Sequence, residues 1–141
     1  MTRLSVLVLC GTAALAVPAP IAARQQAGVT AAQVNGTWRS GRNEIRVKAL
    51  GKNRLQIDFD LVYEYRSKEF GPTANTGEAS GIATIEGDTA TYNTNEYDHQ
   101  CVITLRFTKG RMTVAQTGIC GFGLHVTADG TYRKVSGRRS R

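Results

Sequence analysis

From residue 45 onward apolar side chains recur at every second position, in short runs separated by turn residues, the period of half-buried β-strands. Leu55, Ile57, Phe59, Leu61, Tyr63 and Tyr65 make the longest alternation, interleaved with Gln56, Asp58, Asp60, Val62 and Glu64. Ile45, Val47 and Ala49 precede it across Gly51-Lys-Asn53, a three-residue loop with Asn53 suited to the left-handed position. That loop predicts Ala49 facing Leu55, Val47 facing Ile57 and Ile45 facing Phe59, with Arg46 opposite Asp58 on the wet side. Gly87-Asp88 joins strands at 77–86 and 89–94, setting Ile85 against Ala90 and Ala83 against Tyr92. Lys109-Gly110 joins the two halves of 101–120, setting Phe107 against Met112, Leu105 against Val114 and Ile103 against Gln116. A slip of one residue would mix the faces, so the registers are well specified.

Cys101 and Cys120 fall on the apolar face at the open end of that last hairpin, within disulfide reach. Residues 122–127 continue the strand pattern, an Asp129-Gly130 turn follows, and Thr131 to Val135 closes the chain. Residues 67–76 carry Gly, Pro and polar residues without a period and are expected to form the longest loop. No helix of useful length is predicted after residue 23. About eight short strands in adjacent pairs, each apolar on one face, predict an all-β fold: an antiparallel up-and-down meander closed into a small calycin-like barrel with one disulfide.

The first residues have a different character. Arg3, an apolar run from Leu4 to Val17 and the small residues Ile21-Ala22-Ala23 read as a secretory signal peptide over 1–23, too short to span a bilayer. Cys10 leaves with it, and the even pair that remains suits an oxidising compartment, periplasmic or secreted. The expected organisation is a signal peptide 1–23, a loose lead 24–34, a barrel domain 35–135 and a basic disordered tail 136–141.

Charge narrows the partners. Of 18 Lys and Arg, Arg3 belongs to the leader, so 17 face 11 acidic residues, and five of those 17 lie in 133–141. The high pI is therefore a tail effect and indicates no nucleic-acid-binding domain. Residues 24–55 are basic, with seven basic groups against one acid, whereas 56–100 hold nine acids against two basic groups.

Gly36-Thr-Trp38 on the first strand and Arg133 on the last resemble lipocalins, which implies a barrel base closed by Trp38 with Arg133 packed across its indole. Ser80-Gly81 and Thr108-Lys109-Gly110 are similar to the S-G-x-x-Y and Y-x-x-x-T-K-G loops of bacterial c-type lysozyme inhibitors, with Thr84 and Thr104 at the tyrosine positions. From Gly77 to Lys134 the chain also resembles uncharacterised exported bacterial domains.

Catalytic chemistry finds little footing. His99 stands beside Asp98, Tyr97 and Glu96, where a carboxylate neighbour could hold one tautomer for acid/base or metal work, but a solvated polar turn is the favoured reading; His125, between Leu124 and Val126, would need a partner from elsewhere. There is no G-x-S-x-G elbow and no spare thiol, and two distant histidines match no metal spacing. No cofactor and no metal are expected. The feature that bears on function is a mismatch of sizes: Phe59, Tyr63 and Tyr65 are expected to point inward, against Ala79, Gly81 and Ala83. Either the rings fill the space or a cavity remains, with its mouth near 66–77 and Tyr63, Tyr65 and Phe70 as ligand contacts. The sequence thus points to an exported, non-enzymatic binding module for a small apolar or aromatic ligand or a protein partner. The alternative is an inhibitor of a basic cell-wall hydrolase such as lysozyme.

Overall fold

The computed structural model describes residues 28–94 and 101–136. The expected signal peptide, residues 24–27 of the lead, the His99 loop and the tail beyond Ser136 lie outside the described residues. Eight antiparallel strands run up and down and close into a barrel in chain order. They are β1 (Gly36–Ser40), β2 (Asn43–Gly51), β3 (Arg54–Ser67), β4 (Gly71–Glu86), β5 (Thr89–Thr94), β6 (Cys101–Thr108), β7 (Arg111–Thr117) and β8 (Gly130–Ser136). The predicted registers hold: Ile45 faces Phe59, Val47 faces Ile57 and Ala49 faces Leu55. Ala83 faces Tyr92, Ile85 faces Ala90 and Phe107 faces Met112. Cys101 and Cys120 are disulfide-bonded.

The alternating apolar residues share one interior, where Trp38, Ile45, Ile57, Leu61, Ile103, Leu105, Met112 and Tyr132 are all fully buried. Aromatic rings meet edge-on within it, Trp38 against Phe107 at 5.5 Å and Phe59 against Tyr92 at 5.2 Å. The small residues of β4 are small because other residues of the same chain occupy their space. A Cβ on Gly81 would fall 2.7 Å from Cε2 of Tyr92, and one on Gly77 would fall 2.6 Å from Cβ of Phe122. Between these two rings and Phe59, which packs on Phe122 at 5.5 Å, the mismatch of sizes is resolved by filling.

Three parts depart from the expectation. The lead is structured: Thr30 opens a single helical turn, α1 (Ala31–Val34), through a capping box with Gln33. Val34 is buried at the barrel base, and its carbonyl accepts from Trp38 Nε1 at 2.9 Å. Residues 71–76 are strand, not loop; β3 and β4 pair without interruption out to Ser67 and Gly71, and only Lys68, Glu69 and Phe70 turn. Ser67 Oγ accepts from the amides of Glu69 and Phe70, both at 3.2 Å, which tightens that turn. Residues 122–127 are not a strand; the whole connection 118–129 is irregular and lies over one end of the barrel. Glycines there at positive φ, including Gly118, Gly121 and Gly123, bend it away from any ladder.

Candidate functional site

The partners of β3 and β4 stop well before the two strands do. Among the described residues, pairing of β2 with β3 ends at Asp60, and pairing of β4 with β5 begins only at Ala83. The outer halves of β3 and β4 therefore leave the barrel as a two-stranded arm. By strand parity Tyr63 and Tyr65 lie on the face that carries Phe59 and Leu61 into the core, as expected. They stand past the rim, however, and are 40% and 42% exposed rather than turned into the interior. Phe70, at the tip, is 78% exposed.

The arm does not stand alone. Asn75 Nδ2 donates to the carbonyl of Leu124 at 2.8 Å, and Phe122 packs beside Gly77, so the connection 118–129 forms a cap against the arm. Tyr63 stacks on Tyr65 with centroids 6.1 Å apart, and its ring also meets His125 at 5.3 Å. Leu124 next to it is 72% exposed. His125 holds a left-handed backbone at φ 62°, uncommon for a residue with a side chain, to make this turn. The cap is anchored by Asp129, whose Oδ1 accepts from Gln116 N at 2.6 Å, and by Gln116 Oε1, which accepts from Ala128 N at 3.0 Å. Tyr132, buried below it, donates to the Ala128 carbonyl at 2.9 Å, and burial pushes its hydroxyl pKa up to about 12.

Of the sequence-predicted contacts, the structure brings Tyr63 and Tyr65 together and sets Phe70 on the same arm. Leu124 and His125 join them, a pair the strand pattern assigned elsewhere. The run of glycines on either side of Cys120 was the available signal that the chain there folds over something. At the opposite end, Gly36 and Trp38 lie on β1 as expected, and a Cβ on Gly36 would strike the Ser136 backbone. The cation over the indole is Lys134, with Nζ 5.6 Å from the ring, not Arg133. Lys134 Nζ also donates to the carbonyls of Ala32 and Gln33 at 2.7 and 3.1 Å, and partial burial holds its pKa below the usual lysine value. Arg133 points outward because its neighbour Tyr132 points in.

The outer surface carries one continuous cross-strand row. Arg111 is in register with Arg133, Arg133 with Arg39, Arg39 with Glu44, Glu44 with Asp60, and Asp60 with Glu78. Arg39 and Glu44 close the middle of the row as an ion pair at 2.7 Å, while like charges stand opposed on either side of it. Arg46, expected to pair with Asp58, binds Glu44 at 3.2 Å instead; Asp58 accepts from Ser80 and Gln56. Ser80 and the Lys109-Gly110 turn, the positions similar to lysozyme-inhibitor loops, are not brought together. Ser80 lies mid-strand on β4, and the β6–β7 turn lies at the end away from the arm.

Among the described residues no group of three His, Cys, Asp or Glu side chains could hold a metal ion. No described helix is long and apolar enough to cross a membrane. The chain matches no protein-family model, no curated protein and no solved structure.

Proposed function

We propose that this chain is an exported, non-enzymatic barrel that binds a protein partner through the arm and cap, with its interior serving as scaffold. The observation that carries this reading is the placement of Tyr63 and Tyr65: stacked on one another, backed by His125, and held outside a core that Tyr92 and Phe122 fill. Half-exposed tyrosines on a rigid ribbon supply contact area at low entropic cost, which is what protein interfaces favour. Leu124 and Phe70 extend the apolar surface to either side. A disulfide-bonded barrel suits presentation outside the reducing cytoplasm. The test is a photo-crosslinking residue at Leu124 and, as control, at Lys109 on the far end. Adducts with one protein from the Leu124 position only, lost with Tyr63→Ala, support the reading; adducts equal at both positions, or none, oppose it.

The second reading, an inhibitor of a basic cell-wall hydrolase, is favoured by the acidic end of the charged row, where Asp60 stands opposite Glu78. An acidic strip of this kind steers a basic enzyme, with association slowing as salt rises. A lysis assay with a c-type lysozyme tests it: inhibition that weakens with Glu78→Lys favours it, and undiminished lysis at micromolar protein opposes it.

A further inference from the structure

The arm has two edges, and they are finished differently. On the β4 edge Pro72 has no N–H, and its register with Arg66 turns the imide nitrogen away from β3, so that edge lacks a donor. The cap also binds the β4 strand, through Asn75. On the β3 edge the ladder ends where Asn43 Oδ1 accepts from Val62 N at 2.8 Å. Strand alternation then turns the backbone N–H and C=O of Glu64 and Arg66 out along the same edge. Among the described residues nothing bonds to them, and no proline or bulge interrupts β3 there. Such an edge is a template for another strand.

What would pair with it is written in the side chains. Glu64 and Arg66 share one face of the ribbon, and Tyr63 and Tyr65 share the other. We propose that this edge pairs antiparallel with the same edge of a second copy, about a two-fold axis at Tyr65. In that register Glu64 faces the second copy's Arg66 and Arg66 faces the second copy's Glu64. Both are pairs that exchange main-chain hydrogen bonds, and each adds opposite charges directly across the seam. Tyr65 meets its own counterpart at the axis, so the Tyr63–Tyr65 stack becomes one ladder of rings running across the dimer. The neighbouring register, centred on Glu64, opposes the two Glu64 carboxylates, so charge selects the first. In the single chain Glu64 is paired with Arg42 at 3.1 Å, but these side chains are 59% and 71% exposed. Exchanging one exposed cation for another costs little.

This inference concerns the arm's edge and does not depend on the partner proposed above. Sedimentation equilibrium of the oxidised protein tests it, with unfolding midpoints confirming that the variants fold. The contact is short, so a dissociation constant of roughly 10–500 µM is expected. Glu64→Arg alone and Arg66→Glu alone should each weaken self-association about tenfold or more, because each opposes like charges across the seam. Mixing those two variants should restore a one-to-one heterodimer, since every cross-strand pair is then of opposite sign. The double variant Glu64→Arg/Arg66→Glu should also associate like the parent. A protein that stays monomeric to millimolar concentration, or a dimer that neither single variant weakens, would overturn the proposal.

Discussion

The ring of Tyr92 occupies the space that a side chain at Gly81 would need. A Cβ added there would stand 2.7 Å from the ring's Cε2, closer than carbon atoms approach without displacement. Gly81→Val should therefore destabilise the barrel by about 1–3 kcal/mol, through overpacking of an interior that is already filled. Chemical denaturation of the two proteins measures it. Gly81→Val combined with Tyr92→Leu should recover part of the loss, because the displaced ring is the cause.

The bond between Cys101 and Cys120 closes a loop with a sequence separation of 19 and ties the start of β6 to the cap. Replacing both by serine should cost about 3 kcal/mol, as expected for a loop of that length. Hydrogen exchange should show the loss concentrated at 118–129, leaving the β2–β3 hairpin protected.

Tyr132 gives the fold an alkaline limit. Burial raises its hydroxyl from the usual 10.0 to about 12, so the folded state holds this proton more tightly than the unfolded chain does. Its contribution is fully present below about pH 10 and is lost as pH rises through 12. Stability of the parent should fall over that interval. Tyr132→Phe, weaker at pH 8 by about 1 kcal/mol for the lost bond to Ala128, should lack this share of the fall.

At the base, Lys134 rather than Arg133 holds α1. Lys134→Met keeps the aliphatic stem over Trp38 but removes the bonds to Ala32 and Gln33. Amide exchange at Val34 and Asn35 should quicken, with a stability change of about 1 kcal/mol or less given the group's exposure. Arg133→Met should leave that exchange unchanged.

What could be read in advance followed from local rules. The hairpins around Lys52-Asn53, Gly87-Asp88 and Lys109-Gly110 have apolar alternation on both sides of a short turn, which leaves one register. The disulfide followed from the last of them. The arm was hidden because residues 71–76 pass the rim, where no face must be apolar; they are strand only because β3 pairs them. Tyr63 and Tyr65 were assigned the correct face but the wrong depth, since depth depends on where β2 and β5 stop. Phe122 was read as a strand residue although it plugs the space beside Gly77, a contact across 45 positions that no local period encodes. The choice of Arg133 over Lys134 came from a resemblance; parity from the buried Tyr132 already turns Arg133 outward.

The central claim is that recognition belongs to the arm and cap while the interior is packed. A titration with the apolar fluorophore N-phenyl-1-naphthylamine, read by energy transfer from Trp38, the chain's one tryptophan, addresses it most directly. No saturable signal is expected, and no change when Tyr92 or Phe59 is varied conservatively. One-to-one binding with strong transfer from the buried Trp38, undisturbed by Tyr63→Ala and Tyr65→Ala, would place a ligand inside the barrel and contradict the claim.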